Sequence, residues 1–369
     1  MNIIEAVDAA VAARPDAVFV SSLGTSTSAL RRATQDGCHL YLGGSMGSCL
    51  AVALGLSAGA PDAEVVAIVG DGDLVMGSSA LWDLAGIRPT NLTVVVMSDG
   101  RYAITGGQVL PQPASAAAVA GSLGVVSGSA DDPGKLLALL ADRDVTLVEA
   151  RLNGEAVWPG PSPFVEPSWV TSRLHEVLGR PGANAQVLEA EPTSSSWQES
   201  LANALIDAGA NQFTYVPDSR ISRAAVAVDA RGVAIHMLTR EEQCVGYAAG
   251  AAMAGASPVV MMQCSGLGNS ANALGSLVLP YGLGMVLVLS MRGTLGEANP
   301  SQVPMGQATY GILDALGVQR YSLRSVDTID TVVKGVATLA FKTNRPVALI
   351  LEQELGGGGN MPSRRADAS

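Results

Sequence analysis

Short runs of β-branched and aliphatic residues recur along this chain between alanine-rich stretches long enough for helices, and that alternation is its strongest constraint on fold. Strand–helix alternation predicts parallel sheets with helices on both faces. Strands are expected at 17–22, 64–70, 92–98 and 145–150, then at 213–216, 233–238, 258–263, 285–290 and 346–352. Hydrophobic residues make up 48% and charged residues only 15%, which suits strands buried on both sides. At 369 residues the chain is too long for one typical core. A Pro-, Gly- and Ser-rich stretch from about Trp158 to Ser196 reads as a linker, with a short helix about 170–178. The expected division is therefore a domain over 1–165, a linker over 166–196, a second domain over 197–355 and a disordered tail over 356–369.

The formal net charge of -11 argues against nucleic acid or anionic lipid as a partner. The apolar run at 278–291 is broken by Pro280, Gly282 and Gly284 and is too short to span a bilayer. The N-terminus lacks the basic start of a signal peptide. Cys38, Cys49, Cys244 and Cys264 form no CxxC pair and read as small buried hydrophobes, so a reduced, cytoplasmic setting is expected.

The sharpest local signal is the stretch VVAIVGDGDLVMGSSALWDL. A buried strand ends in Gly70-Asp71-Gly72, with a helix expected near Ser78. A carboxylate at a strand's C-terminal end, beside free backbone N–H groups, can hold a divalent cation against a phosphate. A second strand, LTVVVMSDG, delivers Asp99 to the same sheet edge, and two such aspartates make a reasonable magnesium pair. GDG alone would more often be a plain turn; the strand context and the second aspartate favour a site.

The segment GDGDLVMGSSALWDLAGIRPTNLTVVVMSDGRYAITGGQ resembles the diphosphate-binding motif of thiamine diphosphate-dependent enzymes. The resemblance implies an α/β fold of two doubly wound parallel-sheet domains, with thiamine diphosphate and Mg²⁺ as cofactors. It makes Asp71, Asp99 and the backbone carbonyl of Arg101 the metal ligands. Gly70, Gly72, Asp73 and Thr105 join them around the cofactor. Asp99 stands where the pattern has Asn, and Asp73 where a small neutral residue is common. Upstream, Gly43-Gly44-Ser45-Met46-Gly47 resembles the family's pyrimidine loop. The Gly44 carbonyl would accept from the cofactor's amino group, Ser45 would lie beside it, and Met46 would support it.

In the second half, HMLTREEQCVGYAAGAAMAG resembles the family's activating-glutamate segment. Counting back from Ala249-Gly250 selects Glu241, which would hydrogen-bond the cofactor's N1′. Glu242 reads as an N-terminal helix acid stabilised by the macrodipole. The segments VPDSRIS, MQCSGLGNSANALGSL, SMRG and SQVPMGQAT resemble sulfopyruvate and phosphonopyruvate decarboxylases. The chain reads as a fusion of two subunit-like halves, diphosphate domain first. A loop carrying Ser265, Leu267 and Asn269 is expected beside the substrate. Arg292 could bind a distal anion or make a structural salt bridge at its strand end. Cys264, Met291 and Ser48 depart from the family's usual residues, and no two histidines are adjacent.

The resemblance thus implies a carboxy-lyase. Its expected substrate is a short 2-oxoacid with a distal anion, of the 3-sulfopyruvate or 3-phosphonopyruvate type, and its expected form a homo-oligomer. A carboligase of the acetolactate synthase kind is the alternative, and a catalytically silent binding or scaffold protein a third. A nucleotide-binding Rossmann protein is disfavoured because no GxGxxG follows the first strand.

Overall fold

The computed structural model describes residues 1–22, 24–35, 39–42, 46–102, 108–110, 114–153, 160, 165, 170, 171, 173–175, 178, 196–295, 297 and 302–355. The first half supplies β1 (Val18–Ser21), β2 (Leu40–Tyr41), β3 (Val65–Gly70), β4 (Leu92–Ser98), β5 (Arg101–Tyr102), β6 (Gln108–Val109), β7 (Ser127–Ala130) and β8 (Leu147–Arg151). The second half supplies β9 (Gln212–Tyr215), β10 (Ala234–Met237), β11 (Pro258–Gln263), β12 (Met285–Ser290), β13 (Gln319–Leu323) and β14 (Pro346–Leu351).

Two six-stranded sheets result, ordered β2-β1-β3-β4-β8-β7 and β10-β9-β11-β12-β14-β13, with every pairing inside them parallel. Leaving aside the antiparallel β5–β6 hairpin, the two orders are the same. All nine expected strands are present. The three sheet strands beyond them, β2, β7 and β13, are a two-residue strand, the sequence SGSA, and the largely exposed QRYSL. Each lies at a sheet edge; β2 is buried but too short to read as a run, while β7 and β13 need no apolar run there. The helix expected near Ser78 is two helices, Asp71–Met76 starting directly at the GDG turn and Ala80–Ile87.

The two halves meet through the helices Cys49–Gly59 and Glu241–Met253, each buried on nearly all sides. A helix apolar all round belongs inside a core. Gly246 lies against Ser48 and Ala51, Gly250 against Val52 and Leu56, and Ala254 against Gly59. Both numberings rise together, so the helices run parallel with their N-termini at one end. A Cβ on Gly55 would stand 1.9 Å from the Tyr247 carbonyl oxygen, and one on Gly250 2.0 Å from that of Val52. One core therefore crosses both sheets, from Val20 and Ile68 to Met262 and Leu287. Among the described residues no helix is long and apolar enough to cross a membrane. The expected linker is described only in part, and the tail from 356 lies outside the described residues.

Candidate active site

The strand order of the first sheet reverses between β1 and β3. In open α/β sheets, ligands bind outside the strands' C-terminal ends at such a switch point. A pocket opens there, lined by Ser22 and Thr25 beyond β1, by Gly70 to Asp73 beyond β3, and by Asp99 and Arg101 beyond β4. The Gly70 N–H donates to Ser22 Oγ (3.0 Å), which ties two of these ends together. The helix Thr25–Ala33 begins at the pocket after Gly24, and the helix Asp71–Met76 begins beside it. The N-terminal end of a helix suits an anion.

Asp71 Oδ1 accepts from Gly72 N (2.8 Å), and Oδ2 accepts from Gly100 N (2.7 Å). Asp99 Oδ1 accepts from Arg101 N (2.9 Å). Burial, above all, raises the Asp71 carboxyl above its ordinary range; the bond from Gly100 opposes this, and the Asp99 charge adds to it. A divalent cation between the two carboxylates would relieve both causes, so the donor set fits Mg²⁺. Among the described residues no group of three His, Cys, Asp or Glu side chains could hold a metal. Mg²⁺ needs no such cage when backbone, water and phosphate oxygens complete its shell.

Met46, Gly70, Asp71, Gly72, Asp73, Asp99 and Arg101, anticipated from sequence, all line this one pocket. Gly44, Ser45 and Thr105 lie outside the described residues. The sequence reading missed Ser22, Thr25, Ser26 and Tyr102. A signal existed for the first three: SLGTSTS, a run rich in small hydroxyl residues where a strand gives way to a helix. Tyr102 had none. Its ring lies over Gly72, where a Cβ would come within 2.7 Å of it.

In the second half, Glu241 opens its helix and accepts from Asn269 Nδ2 (3.1 Å). A Cβ on Gly266 would stand 2.2 Å from Glu241 Cγ, so only glycine fits there. The preceding Thr239 donates its N–H to the buried Asp83 of the first half (3.1 Å). Glu242 instead pairs with Arg240 at 2.9 Å. The expected substrate loop is corrected: Gly266–Ala273 is a helix, and Ser265 to Asn269 form its start. Leu267 is consequently turned into the shared core at 0% exposure, a packing residue rather than a substrate contact. Ser265 Oγ donates to Gln263 Oε1 (2.8 Å). Arg292 donates from Nε and Nη2 to Glu297 (2.8 and 2.9 Å), so the salt bridge exists and takes one edge of the guanidinium. None of these second-half residues lines the pocket of its own chain. Cys49, Cys244 and Cys264 are buried free thiols; Cys38 lies outside the described residues.

A switch-point pocket with paired strand-end aspartates, joined to a second sheet carrying a helix-initial glutamate, defines a thiamine diphosphate-binding architecture. Residues 22–141 match the thiamine pyrophosphate enzyme family, C-terminal TPP binding domain. The sulfopyruvate decarboxylase subunit alpha of Methanococcus maripaludis is 33% identical over 155 residues, 42% of this chain and 93% of that one. The phosphonopyruvate decarboxylase of Streptomyces hygroscopicus is 31% identical over 173 residues, 45% of this chain and 43% of that one. Sulfopyruvate decarboxylase subunit beta of Methanothermobacter thermautotrophicus is 32% identical over 105 residues, 28% of this chain and 56% of that one. Transketolase from Leishmania mexicana superposes with a TM-score of 0.64 at 15% identity, over 95% of this chain and 76% of that one, a likeness of fold alone. The chain belongs to the family of thiamine diphosphate-dependent decarboxylases that includes these sulfopyruvate and phosphonopyruvate enzymes.

Proposed function

We propose that this protein decarboxylates a short 2-oxoacid carrying a distal anion, of the 3-sulfopyruvate or 3-phosphonopyruvate type, to the aldehyde and carbon dioxide. The observation that carries the reading is the convergence of Asp71 and Asp99 at the switch-point pocket of a chain from this decarboxylase family. Bound thiamine diphosphate supplies the electron sink that loss of the carboxylate requires. Asp71 and Asp99 would hold Mg²⁺, and the Thr25 and Asp71 helix starts would suit the diphosphate. Met46 would support the pyrimidine, and Glu241 would hold a proton at its N1′. Asn269 and Gly266 keep the Glu241 carboxylate in place.

The pocket is lined by the first half alone, while Glu241 stands outside it. A second copy would complete it, which makes the active form a homodimer or larger. Arg292 is the candidate for the distal anion through the Nη1 edge that Glu297 does not take, since a guanidinium suits a tetrahedral oxyanion.

Mass spectrometry of released cofactor, then carbon dioxide release from a panel of 2-oxoacids, tests the reading. The expected result is thiamine diphosphate and a preference for the C3 sulfonate or phosphonate over pyruvate. Preference for pyruvate with a condensed product would sink the anionic-head reading in favour of a carboligase.

A further inference from the structure

Asp73 stands where the family pattern has a small neutral residue, two positions after Asp71 and inside the same pocket wall. Its side chain reaches the Met46–Gly47 turn. The backbone N–H of Gly47 donates to its Oδ1 (2.9 Å), and a second backbone bond comes from Cys49. Cys49 opens the helix that packs against the Glu241 helix, and Ser48 before it makes no side-chain capping bond. A carboxylate at that N-terminus satisfies an otherwise orphaned N–H and meets the positive end of the macrodipole.

We propose that Asp73 is a positioning residue that pins the Met46–Gly47 turn to the GDG helix and so sets the height of Met46 in the cofactor pocket. This rests on the reading of the pocket as a thiamine diphosphate site. Three further contacts make the turn rigid. Gly47 has φ 92°, reserved in practice for glycine. A Cβ on Gly77 would stand 1.9 Å from the Gly47 carbonyl oxygen, so the turn is pressed onto the end of the Asp71–Met76 helix. Met46 Cε lies 3.5 Å from where a Gly72 Cβ would be, directly over the metal-binding turn. At the far end, Gly246 of the Glu241 helix meets Ala51 and Ser48, one turn or less from Cys49. One carboxylate thus joins the metal turn, the pyrimidine support and the start of the interdomain helix pair. Serine or alanine is too short to bridge the gap, and asparagine accepts only at Oδ1, since its Nδ2 is a donor. The Asp73 side chain is buried, and the turn's backbone N–H satisfies its carboxylate.

The test compares the full-length protein with its Asp73→Asn and Asp73→Ser variants in three measurements. These are the Mg²⁺ dependence of thiamine diphosphate binding by calorimetry, the near-ultraviolet circular dichroism of the bound pyrimidine, and C2 proton exchange of bound cofactor by acid-quench NMR. The expected result is a Mg²⁺ half-saturation within about threefold of the parent, an altered dichroism band, and C2 exchange slowed about tenfold to a hundredfold, as small misplacements of reacting groups do. A large rise in Mg²⁺ requirement with normal exchange at saturation would make Asp73 a metal ligand instead. Normal exchange and dichroism in a folded, loaded variant would make it merely structural; either outcome overturns the proposal. Gly77→Ala, which pushes the same turn without altering charge, should slow exchange similarly and decides the matter if the Asp73 variants do not fold. A parent protein that binds no thiamine diphosphate would refute the pocket reading itself, a failure distinct from that of Asp73.

Discussion

At Glu241 and Glu242, two adjacent carboxylates at one helix start have opposite surroundings. Glu242 is committed to Arg240 at 2.9 Å, whereas Glu241 faces an amide donor, Asn269, and a glycine that leaves it room. A carboxylate that must hold a proton at a ligand nitrogen cannot also be tied to a guanidinium, so the assignment goes to Glu241. Glu241→Gln should abolish C2 proton exchange while leaving thiamine diphosphate bound, and Glu242→Gln should leave exchange within about threefold, since its carboxylate is engaged by Arg240 rather than by the cofactor. Exchange that survives in Glu241→Gln overturns the assignment. The register against Ala249-Gly250 points to the same one of the two glutamates. It could not show that Asn269 and Gly266, 28 and 25 residues further along, would form the carboxylate's seat.

Among the elements, the Cys49–Gly59 and Glu241–Met253 pair holds the halves together by close backbone approach. Gly55 and Gly250 leave no room for a Cβ, and the atoms in the way are carbonyl oxygens rather than flexible side chains. Relief would require the helices to part. Gly250→Ala should therefore cost roughly 1–3 kcal/mol or more despite alanine's better helix propensity. Thermal or urea denaturation measures it. An unchanged midpoint would mean that the helices separate freely, and the account of the shared core would fail. The glycines were visible in the sequence as helix-weakening residues, but their partner was not, since helix packing joins segments almost 200 residues apart. The same limit explains β7 and β13, whose polar edge positions carry no apolar run to read.

For the whole molecule, the pocket and the activating glutamate belong to different halves, and Glu241 does not reach the pocket of its own chain. Exposed apolar side chains include Met76 (58%) and Trp82 (53%) from the first half and Met237 (62%) from the second. A contiguous patch of such residues would suit association with a second copy. Sedimentation at assay concentration should show a dimer or larger species. Trp82→Glu should weaken it and make specific activity fall on dilution. A fully active monomer would refute the dimeric site.

Sequence by itself determined the features that depend on neighbouring residues. The central strands are continuous apolar runs, the GDG turn follows its strand directly, and Asp99 follows the next, so the sheet edge and the two aspartates at it were legible together. Tertiary structure alone decided what depends on side-chain direction and on distant partners. Helical phase buried Leu267, and the fold brought Glu297 onto Arg292. Ser22 beyond β1 was joined to Gly70 at the end of β3, and Asp73 was brought onto Gly47. The two sheets repeat one strand order without a visible sequence repeat. Strand order is set by which apolar faces the connecting helices can cover, and many sequences satisfy that requirement equally well.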